Sequence, residues 1–158
     1  MRLYFIRHGL ADRSAWEGDD VDRPLTSEGR SRVKKTARRL RDIGFQPELM
    51  IASPLARARQ TAEIVSRILK MSEDLVVDER LDPGFDTARL RAILAERTGL
   101  EAIALVGHEP SFSTVISDLV GGGRIVCKKG SVARVDIDST ESLQGELVWL
   151  LQPKTLIR

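Results

Sequence analysis

The sequence predicts an α/β domain, a three-layer αβα sandwich whose mostly parallel central sheet finishes in a C-terminal antiparallel hairpin. Three observations carry this expectation. Short apolar runs alternate with segments of helical periodicity, the rhythm of βα units. The runs at 49–52 and 102–106 are continuously apolar, as strands buried on both faces are. Near the C-terminus two strand-like stretches follow one another with only a polar turn between them, the mark of a hairpin. The chain has 158 residues, 42 % hydrophobic and 30 % charged, which fits one domain spanning 1–158.

Residues 2–6 form a short apolar run that ends in Arg7-His8-Gly9, a buried strand entering a turn. Residues 10–25 are polar and acidic and are expected to be a loop. Thr26-Ser27-Glu28 supplies a hydroxyl cap followed by an acid in the first turn of a helix. Val33, Ala37 and Leu40 give that helix its apolar face, and Gly44 can stop it. Leu49–Ala52 is the second strand. Ser53-Pro54 suits a cap and first helical position, with Ala58, Ala62, Val65 and Leu69 lining the helix that follows. Leu75-Val76-Val77 is a third strand. Leu90, Ile93 and Leu94 mark a helix ending near Gly99, and Ala102–Val106 is a fourth strand running into Gly107-His108. Pro110 opens a helix with Phe112, Val115, Ile116 and Leu119 inward and Gly121-Gly122-Gly123 after it. Val132–Ile137 and Leu147–Leu151 complete the hairpin.

Composition narrows the function classes. Twenty-five Lys and Arg against 23 Asp and Glu leave a formal charge of +2, which argues against a nucleic-acid coat while allowing a local basic pocket. No apolar run has the roughly 20 residues of a membrane span, and the N-terminal apolar stretch is too short for a signal peptide. The single cysteine, Cys127, excludes an internal disulfide framework and a multi-cysteine zinc site. The expected compartment is therefore the cytoplasm, with neither nucleic acid nor membrane as partner.

In open parallel sheets, ligands sit beyond the carboxyl ends of the strands. Three predicted strand exits carry Arg7-His8, Ser53-Pro54-Leu55-Ala56-Arg57 and Gly107-His108. The chain has only two histidines, and both leave strands at the same kind of position. Two guanidiniums and two imidazoles converging there make an anion pocket, since an arginine fork matches phosphate oxygens. A neutral histidine can also attack phosphorus and form a covalent intermediate, and neighbouring arginines favour the neutral ring.

Arg7-His8-Gly9 after a short apolar strand resembles the signature of the histidine phosphatase (phosphoglycerate-mutase-like) superfamily. Ser53-Pro54-Leu55-Ala56-Arg57-Ala58-Arg59-Gln60-Thr61-Ala62 resembles its second block, Val106-Gly107-His108-Glu109-Pro110 its third, and Arg23-Pro24-Leu25-Thr26-Ser27-Glu28-Gly29 the segment heading its first helix. The small size and the Gly-His-x-Pro form are similar to the SixA-type phosphohistidine phosphatases. The resemblance implies a phosphatase in which His8 is the phosphorylated nucleophile, while Arg7, Arg57 and His108 bind the phosphoryl group. It implies neither a metal nor an organic cofactor. Many superfamily members use a glutamate proton donor after the third strand; here Glu79 and Asp82 are the candidate donors, in no motif that aligns.

The expected substrate is a phosphohistidine-bearing protein domain. A small phosphorylated metabolite, or a non-catalytic phosphate-binding role on the same fold, are the alternatives. Asp136-Ile137-Asp138-Ser139-Thr140 matches the nucleophile loop of haloacid-dehalogenase-type phosphatases, but too little chain follows it to supply that fold's other motifs. The spacing from Cys127 to Arg134 is too long for a cysteine-phosphatase loop, so Cys127 is expected to be inert. The acidic stretch from Glu17 to Asp22 and the basic helix with Arg30, Arg32, Lys34, Lys35, Arg38, Arg39 and Arg41 are expected to be solvated, the latter with a docking role for an acidic partner as the sharper reading.

Overall fold

The structure is a computed structural model that describes residues 1–157. Six strands, β1 (Arg2–Arg7), β2 (Leu49–Ala52), β3 (Leu75–Val77), β4 (Ala102–Gly107), β5 (Val132–Ile137) and β6 (Gly145–Leu151), form one sheet in the order β3-β2-β4-β1-β5-β6. β1, β2, β3 and β4 are mutually parallel, whereas β5 runs antiparallel to both β1 and β6. The five helices are α1 (Ser27–Asp42), α2 (Ala56–Ile68), α3 (Thr87–Ala95), α4 (Ser111–Leu119) and the short α5 (Pro153–Leu156).

Strand alternation divides the core in two, because successive side chains point to opposite faces. Tyr4, Ile6, Met50, Ala104 and Val106 pack with Val33, Ala37 and Leu40 of α1 and Ala62 and Val65 of α2. Leu3, Phe5, Ile51, Ile103 and Leu105 pack with Leu90 and Ile93 of α3 and Phe112 and Ile116 of α4. Both faces of the central strands are therefore buried, which is why their sequences are unbroken apolar runs. The predicted three-layer architecture with its terminal antiparallel pair is the one observed.

Two local expectations change. Ser53-Pro54 does not start a helix: the N-cap of α2 is Leu55, which makes no side-chain capping bond, and the helix begins at Ala56. Ser53 is instead buried at the end of β2 with its hydroxyl engaged elsewhere. The acidic loop contains one 3₁₀ turn, Asp20–Asp22, packed back against α2 through Arg57. Thr26 caps α1 as expected, accepting from Gly29 N at 2.9 Å.

Candidate active site

Parallel register sets Arg7 beside Gly107 and Ala52 beside Val106. One residue further on, His8 N donates to Gly107 O at 3.0 Å and Ser53 N donates to Val106 O at 2.9 Å. His8, Ser53 and His108 therefore emerge together at the carboxyl edge of the sheet. The imidazole centroids of His8 and His108 lie 5.4 Å apart, and Ser53 Oγ lies 2.7 Å from His108 Nε2.

His8 Nδ1 is 2.7 Å from the Gly9 carbonyl. A carbonyl only accepts, so Nδ1 carries the ring proton and Nε2 keeps its lone pair. Burial lowers the His8 pKa to about 3; the nearby His108, Arg57 and Arg7 push the same way, and the Gly9 bond opposes them. The ring is thus neutral at neutral pH. Gly9 N donates to Thr61 Oγ1 at 3.1 Å, and Thr61 donates to the Arg57 carbonyl at 2.7 Å, which ties the His8 turn to the first turn of α2.

Burial, then the charge of Arg57, lowers His108 to about 4 against the opposing pull of Asp82 and Asp20. Ser53 Oγ accepts the Leu55 N–H at 3.2 Å and keeps a proton and a second lone pair with which to meet His108 Nε2. His108 Nδ1 is buried and has no partner among the described residues.

Arg57, in the first turn of α2, is buried; its terminal nitrogens donate to the Asp20 carbonyl at 2.9 Å and the Asp20 carboxylate at 3.2 Å. Arg7 donates to the Cys127 carbonyl at 2.9 Å. Burial holds both guanidiniums below their ordinary pKa. Arg23 joins them: it is buried, donates to Asp20 Oδ1 at 3.0 Å and reaches the Ala11 carbonyl.

These residues line a cleft of about 420 Å³, with Arg13, Lys129, Asp12 and Glu109 among its other walls. Five cationic side chains face two carboxylates there, and the neutral His8 offers a free nitrogen lone pair. A tetrahedral oxyanion with a transferable phosphorus centre is the ligand such a set can hold and react with.

The four residues singled out from the sequence, Arg7, His8, Arg57 and His108, all line this cleft. Glu79 and Asp82 do not. Glu79 is exposed, and the Asp82 carboxylate accepts from Gly84 N at 2.7 Å and Arg89 at 2.6 Å. Glu109 is the carboxylate that does line it, accepting from the Ser113 N–H at 2.8 Å and its hydroxyl at 2.6 Å. Sequence reasoning missed Arg23, Ser53 and Glu109 as site residues. The signal for Arg23 was an arginine directly before Pro24 at the end of an acidic run; Ser53 had a strand-exit position equivalent to that of His8. Burial pushes the Cys127 thiol up to about 11, consistent with an inert side chain. Asp136 pairs with Arg2, at the opposite end of β1 from His8.

Residues 3–83 match the family model of the histidine phosphatase superfamily (branch 1). The chain belongs to this superfamily. An uncharacterised protein of Picosynechococcus sp. is 42 % identical, with 99 % of each chain covered. The phosphohistidine phosphatase SixA of Escherichia coli is 28 % identical over 99 % of this chain and 96 % of its own. The structure of the protein histidine phosphatase SixA complexed with tungstate superposes with a TM-score of 0.88 over 99 % of each chain, at 28 % identity. A mycobacterial glucosyl-3-phosphoglycerate phosphatase shares the fold, with a TM-score of 0.72, 20 % identity and coverage of 92 % of this chain and 96 % of that one. The protein is thus a SixA-like histidine phosphatase superfamily hydrolase. No helix among the described residues is long and apolar enough to cross a membrane.

Proposed function

We propose that the protein dephosphorylates phosphohistidine on a signalling protein through a phosphorylated His8. The observation that carries this reading is the His8 ring itself: neutral, with Nδ1–H held by the Gly9 carbonyl and Nε2 free, inside a cleft lined by guanidiniums. Arg7, Arg57 and Arg23 hold the phosphoryl oxygens, with the His108 ring forming the wall beside them. His8 Nε2 attacks phosphorus as the bond from phosphorus to the substrate imidazole nitrogen breaks. The electron pair of that bond stays with the departing ring, which leaves as neutral imidazole because its other nitrogen already carries a proton. The cations stabilise charge on the equatorial oxygens, which is where the transition state needs it. Water then attacks phosphorus, the bond to Nε2 breaks, and inorganic phosphate and free His8 are regenerated.

Two features favour a protein substrate. One wall of the cleft is formed by an open loop, where the Arg13 side chain is 81 % exposed, and such a wall accepts a side chain presented on a surface. The solvent face of α1 carries Arg30, Lys34, Lys35, Arg38, Arg39 and Arg41, which can steer an acidic partner domain. The similarity to SixA points the same way.

Rapid mixing with a phosphohistidine-bearing protein tests the proposal. A burst of dephosphorylated product, with one acid-labile phosphate per chain mapped to His8, is expected. The same phosphate on another residue would refute the mechanism. A phosphorylated metabolite turned over several decades faster than any phosphohistidine protein would replace the substrate and leave the His8 chemistry standing.

A further inference from the structure

Beside the phosphoryl cleft, and sharing Arg13 and Arg23 with it, lies a groove of about 310 Å³ lined also by Trp16, Gly18 and Asp20. We propose that this Trp16 groove is the subsite for the polypeptide flanking the phosphorylated residue, taking an apolar side chain against the indole and a neighbouring carboxylate against Arg13. The inference rests on the phosphatase reading above and adds to it the residues that select the substrate.

Trp16 is 37 % exposed, while Tyr4, Phe5, Phe45, Phe85 and Phe112 are buried and Trp149 packs on Tyr4. It is thus the exposed aromatic of the described chain, and its groove adjoins the cleft through Arg13 and Arg23. Its ring is not loose. The indole N–H donates to the Asp19 carbonyl at 2.8 Å, and the backbone N donates to the Arg13 carbonyl at 3.2 Å. The ring lies over Gly18 so closely that a Cβ there would come within 2.7 Å of Cζ2. A glycine that makes room for a tryptophan, and a hydrogen bond that fixes its tilt, present a flat apolar face at low entropic cost. Such anchored indoles are the residues that dominate protein recognition surfaces.

Charge completes the match. The Arg13 guanidinium extends into solvent, with only a 3.9 Å approach to Asp20, so it is available to a second carboxylate. Asp20 is already shared by Arg23 and Arg57. A free phosphate or phosphoramidate has no apolar part to lay on the indole. A polypeptide does.

The experiment compares three substrates: inorganic phosphoramidate, a phosphohistidine peptide with Leu and Glu beside the phosphorylated residue, and the same peptide with Gly at both positions. The wild-type protein is expected to favour the Leu/Glu peptide over the Gly peptide in kcat/KM by roughly tenfold, the scale of one aromatic anchor. Trp16→Ala should erase that preference, Gly18→Ala should reduce it by displacing the ring, and Trp16→Phe should restore most of it. A wild-type protein with no preference, or a Trp16→Ala variant that keeps it, overturns the inference. If the wild-type protein hydrolyses none of the three, the phosphatase reading fails instead. The groove is then judged by Trp16 emission in a Trp149→Phe background: quenching by the unphosphorylated Leu/Glu peptide upholds the subsite, and no change refutes it.

Discussion

Arg57 gives both of its terminal nitrogens to Asp20, one to the backbone carbonyl at 2.9 Å and one to the carboxylate at 3.2 Å. The same carboxylate accepts from Arg23 at 3.0 Å. Two buried guanidiniums thus share one counterion, and that counterion occupies the donors an incoming phosphoryl group would use. Burial of like charges without such a partner is costly.

Asp20→Asn separates the two effects of this carboxylate. The amide keeps a neutral oxygen near the arginines but removes the negative charge that competes with phosphate. Inhibition by inorganic phosphate or vanadate should tighten about fivefold, on the order of 1 kcal/mol. Weaker inhibition would show that orienting Arg57 and Arg23 matters more than competing for them.

Ser53 should matter for turnover although it has no chemistry of its own. Its hydroxyl accepts from Leu55 N and bonds His108 Nε2 at 2.7 Å, and this fixes the orientation of the imidazole. Ser53→Ala leaves the His108 ring without this anchor, so kcat should fall roughly tenfold, within the range of a lost orienting hydrogen bond. Ser53→Thr should recover part of it. Steady-state kinetics of the two variants, with circular dichroism as a control for folding, decide the matter.

The contrast between His8 and Ser53 shows what was legible in the sequence. His8, His108 and the apolar runs before them could be read because burial on both sheet faces leaves a continuous apolar signature, and the strand ends where it stops. Arg7 and Arg57 could be read because they follow such ends. Ser53-Pro54 has equal claim as a helix start, and local propensity cannot tell a cap from a residue that the neighbouring strand's histidine recruits. Arg23 becomes a site residue only when its loop folds back, which depends on the Asp20 contacts with Arg57 and Arg23 rather than on any pattern along the chain; Glu109 follows His108 directly at the exit of β4, but nothing in the sequence says that its side chain faces the cleft. The order of the strands, with β5 inserted beside β1, is equally a matter of long-range pairing.

Neither Glu79 nor Asp82 should be an indispensable proton donor. Glu79 lies outside the cleft, and Asp82 is engaged by Arg89 and Gly84 N. A phosphohistidine ring protonated on its other nitrogen leaves as neutral imidazole, which needs less help than an alkoxide. Glu79→Gln and Asp82→Asn should keep most of the activity on phosphohistidine, while His8→Ala should lose a factor on the order of 10³ or more. A loss in either carboxylate variant as large as that of His8→Ala would make it the general acid.

Gly29→Ala should destabilise the protein even though alanine is the better helix former by about 1 kcal/mol. A Cβ at Gly29 would fall on the backbone carbonyl of Leu10, in the chain that leaves His8. Backbone cannot yield as a side-chain tip does, so α1 must shift from the sheet. We expect a net loss of about 2 kcal/mol in urea unfolding, as for overpacked sites. Unchanged or increased stability would show that the helix and the His8 loop can part without cost.

Acid should destabilise the folded protein through its two histidines. Burial holds His8 at about 3 and His108 at about 4, both below the ordinary 6.5 of an unfolded chain. As pH falls below 6.5 the unfolded chain takes up protons that the folded one refuses, so stability is full above 6.5 and drains away as pH approaches the folded values. At pH 5 each ring alone would account for a loss of about 2 kcal/mol, before their mutual coupling is considered. Urea unfolding at pH 7.5 and pH 5 measures the loss directly. His8→Asn, which cannot titrate in this range, should shrink the difference between the two pH values by about 1–2 kcal/mol. An equal pH dependence in the variant and the wild-type protein would mean that His8 is protonated in the folded state at pH 5, and so could not be the neutral nucleophile there.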